Sequence, residues 1–259
     1  MDPRPIGVFD SGVGGLSVVE HLRAMVPAER FVYFADTDFF PYGPRPPAEV
    51  RKRAFSIADR LLRADVKMIV IACNTASTAA VKDLREVFDI PFVAMVPALK
   101  PAAAQSRSGI VAVLATSGTI DGEMLAKVNK EFGQGTDVRN IPCQGLAELV
   151  ELGDTESTAV REHIRESLEP AVRAGADTLV LGCTHFHFLT ATIESEFPGL
   201  TVIGTAEPVA RRVVQVLTES DSLAPNEVDG SLSLIVSGNR FVFEEVIKKL
   251  GFLPAGALA

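Results

Sequence analysis

MIVIACNTAS at 68–77 and TLVLGCTHFH at 178–187 follow one plan: an apolar run, a small residue, a cysteine, then polar residues that open a helix. Earlier in each half stand GVFDSGVGG at 7–15 and AVLATSGTI at 112–120, each an apolar run followed by Ser and Gly. Cys73 and Cys183 are 110 residues apart, and Ser11 and Ser117 are 106 apart. Two matched strand-and-loop pairs, in the same order and at nearly the same offset, imply two similar domains facing each other.

Around these segments the same alternation continues. IGVF, FVYFA, MIVIA, FVAM, IVAVLA, VRNI, TLVLG, TVIG and LSLIV are short and rich in β-branched or aliphatic residues, as strands are. Between them lie stretches such as 48–64 and 154–174 with apolar residues at helical spacing. The pattern predicts an α/β fold of two pseudo-symmetric domains, each a mostly parallel sheet flanked by helices. Ligands in such sheets bind beyond the carboxyl ends of strands, which places the site in the cleft between the domains. The boundaries expected are 1–97 plus 208–259 for the first domain and 98–207 for the second. The tail, with its own strand at 231–236, returns to the first domain in this reading.

Composition narrows the partners. The chain has 259 residues, 47% hydrophobic, with 33 acidic against 25 basic residues and a formal charge of -8. No dense Lys/Arg run offers a footprint for a phosphate backbone, so nucleic acid is not expected. An anionic substrate would have to be drawn by local donors such as helix N-termini, because the overall field opposes it. The start, MDPRPIGVF, has no secretory pattern, and no apolar stretch approaches the roughly 20 residues that cross a bilayer. Three cysteines make an odd count, which argues for free thiols in a reducing compartment. A soluble cytoplasmic protein with no membrane partner is the expectation.

Each of Cys73 and Cys183 is expected at a strand-to-helix turn, where free backbone N–H groups and the helix dipole favour a thiolate. A free cysteine also fills space in many cores. For one cysteine the two readings balance; for the matched pair the chemical one prevails. Cys143, with no counterpart in the other half, is read as packing. DSGVGG at 10–15 invites a dinucleotide reading, but Ser17 stands where the fingerprint needs its third glycine. Gly12, Gly14 and Gly15 are read instead as a tight turn that leaves Asp10 and Ser11 at a strand end, with an N-cap as the alternative for Asp10. FFPYG at 39–43 reads as a turn that could offer Tyr42 and backbone N–H groups to a ligand, or as a turn alone. His185 and His187 could join Cys73 in a zinc site, but the spacing is unlike that of known fingers and no metal is expected. His187 is read as a helix-face residue, His21 and His163 as surface or packing residues, and Glu151 as a helix-end carboxylate of no special function.

Taken together, DSGVGG, PYG, ACNTA and GCTH resemble the cofactor-independent glutamate racemases of the Asp/Glu racemase family. The resemblance extends to MVPALKPAAA, LATSGT, LVELGD and VSGN and so covers most of the chain. It implies interconversion of L- and D-glutamate, with D-glutamate supplied to peptidoglycan, no cofactor, and a homodimer. It implies Cys73 and Cys183 as acid/base catalysts on opposite faces of the substrate Cα, Asp10 and His185 supporting the adjacent thiols, and Glu151 as an auxiliary carboxylate. Asp10, Ser11, Tyr42, Gly43, Asn74, Thr75, Thr184 and His185 match its substrate-contacting positions, with Thr116 and Thr119 beside them. Departures are Phe186 and His187 where Tyr or Phe and then Pro are common, and DTDFF before PYG. The chain begins nine residues before Asp10, so the resemblance does not imply activation by a cell-wall precursor. An aspartate racemase of the same superfamily and a non-catalytic amino-acid-binding module are the alternatives.

Overall fold

Runs of four to six aliphatic residues, too short for helices and apolar on both sides of the pleat, become parallel strands covered on both faces. A computed structural model describes residues 1–133 and 135–252. The first half runs β1 (Ile6–Asp10), α1 (Leu16–Met25), β2 (Arg30–Ala35), α2 (Pro47–Leu62), β3 (Met68–Ile71), α3 (Asn74–Val87) and β4 (Phe92–Ala94). The second runs α4 (Leu99–Gln105), β5 (Ile110–Ala115), α5 (Ser117–Ile120), α6 (Glu123–Phe132), β6 (Asp137–Pro142), α7 (Leu146–Glu151), α8 (Thr158–Arg173), β7 (Thr178–Leu181), α9 (Thr190–Glu196) and β8 (Thr201–Ile203). α10 (Ala206–Glu219), β9 (Ser231–Val236) and α11 (Arg240–Lys249) follow. All nine predicted strands are present at their predicted places.

The strands form two sheets, in the orders β4-β3-β1-β2-β9 and β8-β7-β5-β6, and every pairing is parallel. Equating β5 with β1, β6 with β2, β7 with β3 and β8 with β4 superimposes the two orders, so the repeat seen in the sequence is a repeat of topology. β9 is the one addition, pairing with β2 on the edge of the first sheet. Residues 253–259 of the expected first-domain segment lie outside the described residues. In each sheet the first strand has neighbours reached in opposite directions, and the loops after β1, β3, β5 and β7 open at these switch points.

Packing holds the two sheets as layers. Ile57 and Leu61 of α2 and Leu84 of α3 bury against Phe9, Ile69 and Ile71 on one face of the first sheet. α1 lies on the other face against α10, within a core that continues into α8 and β7 of the second half. Each such fully buried aliphatic side chain contributes about 1.5–3 kcal/mol over its exposed state.

Cys143, just past β6, is buried with its Sγ 3.8 Å from His163 Nε2 and 3.7 Å from Ser167 Oγ, both on α8. Its packing role agrees with the sequence reading. Burial pushes this thiol from an ordinary 9.0 up to about 11. The unfolded chain therefore releases the proton first, so the stabilisation is complete below about pH 9 and is lost as pH rises towards 11. We expect the native state to lose about 2–3 kcal/mol through this group across that window. Chemical denaturation at pH 8 and pH 11 checks it: Cys143→Ala should lose less stability than the unaltered chain, and equal losses would refute the assignment.

Candidate active site

Both matched cysteines come to one cavity between the sheets. Cys73 follows β3 and is the N-cap of α3, its Sγ accepting the Ala76 N–H at 3.5 Å. The helix start was expected to favour the thiolate; burial wins instead. Burial and then the charge of Asp10 push the Cys73 thiol well above its ordinary range, the Ala76 N–H opposes them, and the nearby Cys183 adds to the rise. A single backbone donor cannot offset the loss of water around a fully buried sulfur.

Cys183 follows β7, but no α-helix opens directly behind it. Thr184–Leu189 form a 3₁₀ segment before α9, and the sulfur receives no capping hydrogen bond. Its neighbour is His185, with Nδ1 3.8 Å from Sγ, while His185 Nε2 stands 2.6 Å from Glu151 Oε1. Burial disfavours the charge on His185, yet the hydrogen bonds to Cys183 and Glu151 and their negative charge hold its pKa well above the ordinary value. Glu151, which residue patterns alone left without a function, closes α7 at the point where it meets this imidazole.

His187 is not a plain helix-face residue. Burial holds its pKa down to about 4. The neutral ring is therefore free to accept the Thr205 N–H, 3.3 Å from Nε2, just ahead of α10. Proline at this position would supply no such acceptor.

Asp10 ends β1, fully buried, and takes the Ser11 N–H on Oδ1 at 2.7 Å and the Thr184 hydroxyl on Oδ2 at 3.0 Å. It is therefore not an N-cap; Gly15 holds that place for α1. Burial raises its carboxyl pKa, while the His185 charge and these two hydrogen bonds lower it. Gly14 and Gly15 do turn the chain, the Leu16 N–H donating to Val13 O at 3.0 Å, and none of the three glycines of DSGVGG has a positive φ. They provide room: a Cβ on Gly14 would stand 2.5 Å from Thr184 Oγ1 and 2.6 Å from His185 Nδ1.

The cavity is walled by Ser11, Tyr42, Gly43, Cys73, Asn74 and Thr75 from the first half, and by Thr116, Cys183, Thr184 and His185 from the second. Asp10 and Glu151 stand behind this wall, as does Thr119, which reaches it through Thr75 Oγ1 at 3.4 Å. Thr75 and Thr116 hydroxyls meet across the cleft at 2.9 Å, and the Gly118 N–H donates to Gly43 O at 3.1 Å. The enclosed space is about 20 Å³, little more than the roughly 10–15 Å³ that one water requires. Tyr42 lines it, but its hydroxyl donates to Asp36 Oδ2 at 2.6 Å, and Arg53 Nε donates to the same oxygen at 2.7 Å. Asn74 is the opposite case: both polar atoms of its buried side chain lack a partner among the described residues.

Sequence reasoning did not single out Ala147 or Gly182, which also line the cavity with Pro41 of the FFPYG turn, nor Asp36. Asp36 could have been found by its place directly after β2, one residue past the level at which Asp10 ends β1. Phe40, noted only as unusual, lies on His185 with ring centroids 5.4 Å apart.

The Asp/Glu/Hydantoin racemase family matches residues 6–213. A glutamate racemase of Herpetosiphon aurantiacus is 41% identical over 247 residues, covering 95% of this chain and 97% of that one. Among solved structures, the glutamate racemase isoform RacE1 of Bacillus anthracis has a TM-score of 0.89 at 31% identity, covering 100% of this chain and 98% of that one. The glutamate racemase of Francisella tularensis in complex with D-glutamate has a TM-score of 0.87 at 27% identity, covering 100% and 97%. With two matching sheets, a cysteine at the same turn of each and this likeness along nearly the whole length, the chain belongs to the Asp/Glu/Hydantoin racemase family.

Proposed function

We propose that the protein interconverts L- and D-glutamate by moving the Cα proton between Cys73 and Cys183, without a cofactor. The observation that carries this reading is the pair of thiols, each behind a corresponding strand of one of the two sheets, on one small cavity. Inversion needs a base on one face of the carbon and an acid on the other, and one group can rarely reach both. The relatives described above are glutamate racemases, and one was solved with D-glutamate bound.

The surroundings divide the work. Cys73, with its raised pKa, keeps its proton in the free enzyme and is the acid of the resting state. His185, held in its charged form and backed by Glu151, stabilises negative charge on the Cys183 sulfur. Once the proton has crossed, the two cysteines exchange roles. Asp10 links the centres through Thr184. Among the described residues no Lys or Arg lines the cavity, so beside His185 the substrate carboxylates and the developing carbanion must be met by neutral donors. Ser11, Asn74, Thr75 and Thr184 fill that role, with Thr116 and Thr119 bracing Thr75, and Gly43 and Tyr42 shaping the wall. Buried donors aimed where charge develops are worth far more than the same donors in water. A space of about 20 Å³ admits no amino acid, so the sheets must part to load substrate and close for chemistry.

The moving bodies in this scheme are 1–97 plus 208–259 and 98–207. The reading also includes supply of D-glutamate for peptidoglycan, a cytoplasmic location and a homodimer. No helix of the described residues is long and apolar enough to cross a membrane. Incubation with L-glutamate, and separately L-aspartate, in deuterated water followed by chiral analysis tests the function. D-glutamate carrying deuterium at Cα is expected. Preferential racemisation of aspartate would move the protein to the alternative substrate, and retention of the Cα hydrogen would leave only a binding protein.

A further inference from the structure

In the loop after β1, Gly12 and Val13 meet a carboxylate of the second half. A Cβ built on Gly12 would stand 1.8 Å from Glu151 Oε1, 2.6 Å from Cδ and 3.0 Å from Oε2, and these three are its nearest atoms. The next residue, Val13, donates its N–H to the same Oε1 at 2.6 Å. That oxygen also faces His185 Nε2. Glu151 and His185 both belong to the second half of the chain; the seat that receives Glu151 belongs to the first.

We infer that Gly12 and the Val13 N–H form a seat that holds Glu151 against His185 only when the two halves are closed, making Gly12 a positioning residue for the Cys183 side of the reaction. The assignment of the Cys183 side to chemistry rests on the racemase reading; the seat itself does not. The Cys73 side contrasts with it, because Asp10 and the Ala76 N–H come from the same half as Cys73. Closure therefore does more than trap substrate: it completes one of the two acid/base centres. Because Gly12 has no positive φ, alanine fits its backbone, and the three nearest atoms its Cβ would meet all belong to the movable end of Glu151.

Gly12→Ala is the test, with the His185 titration followed by NMR of labelled histidine in the full chain and assigned by loss of the signal in His185→Gln. The groups facing that ring are Cys183 from its own turn, Glu151 from α7 and Asp10 from β1. Displacing Glu151 should lower the His185 pKa by about one unit, equal to a tenfold change in its proton affinity. It should also cut kcat/KM for glutamate by about 10–100-fold and move the basic limb of its pH profile down. In a Glu151→Ala background, where the obstructing atoms are gone, adding Gly12→Ala should change neither quantity by more than about twofold. An unchanged His185 titration in Gly12→Ala, or an equal loss in both backgrounds, overturns the inference. If the single variant does not fold, the double variant must, and its failure to fold also overturns it. A chain that shows the titration shifts but never racemises glutamate would keep the seat and discard the function.

Discussion

Cys73→Ser and Cys183→Ser should each lower glutamate racemisation by at least about 10²–10⁴-fold while leaving the fold and its melting temperature nearly unchanged. Each sulfur is buried and lines the cavity from its own sheet. A hydroxyl in the same place fills almost the same volume, so packing survives. What is lost is an atom that can hold negative charge at neutral pH, and the far less acidic hydroxyl cannot take its place as base. Because one event needs both a donor and an acceptor, neither residue can cover for the other, and the double variant should be little worse than either single one. Racemisation rates by circular dichroism or chiral chromatography check this. Retention of more than about a few per cent of activity by either variant would contradict a scheme that draws its acid/base power from both thiols.

The largest effect on stability is expected far from the cavity, at the other end of the first sheet. Lys67, the residue before β3, is 5% exposed and Glu29, the residue before β2, is 2% exposed. Lys67 Nζ donates to Glu29 Oε1 at 2.9 Å, to Asp2 O at 2.7 Å and to Ser222 O at 2.8 Å, which uses all three of its protons. Glu29 Oε1 also takes the Ala224 N–H at 2.8 Å. One ion pair thus ties the N-terminal segment and the link between α10 and β9 to the roots of β2 and β3. Glu29→Ala would strand a buried ammonium and an amide, and we expect a loss of about 3–5 kcal/mol in chemical denaturation. Glu29→Leu with Lys67→Met should recover most of it, since an apolar pair of similar volume has no charge to desolvate. A loss below about 1 kcal/mol for Glu29→Ala would mean that water reaches Lys67 and that the pair is not the fastening described.

β3 and β7 show why so much was readable in advance. Their four-residue runs, MIVI and TLVL, are apolar on both sides, so each had to be covered on both faces, and the cysteine two residues beyond had to emerge at a switch point. Thr75, Thr116 and Thr184 follow the same rule of position after a strand. Glu151 obeys no such rule. It ends a helix, and it becomes part of the site through contacts 34 residues away at His185 and 138 residues away at Val13. The glycines of DSGVGG were legible as a turn, which Gly14 and Gly15 form, but the room they leave for Thr184, His185 and Glu151 was not, because that steric demand is set by another part of the chain. His187, expected on a helix face, accepts the Thr205 N–H across 18 residues for the same kind of reason.

The amino-acid sequence by itself determined the strands, their grouping into two like halves and the pair of cysteines, because periodicity, strand length and the residue following a strand are local properties that neighbours along the chain impose. Only the tertiary structure decided that Cys73 holds its proton, that His185 keeps its charge and that Glu151 stands between His185 and the loop after β1. Proton affinity depends on how much water is removed and which charges stand within a few ångströms, and both are fixed by residues that packing, not chain order, makes neighbours.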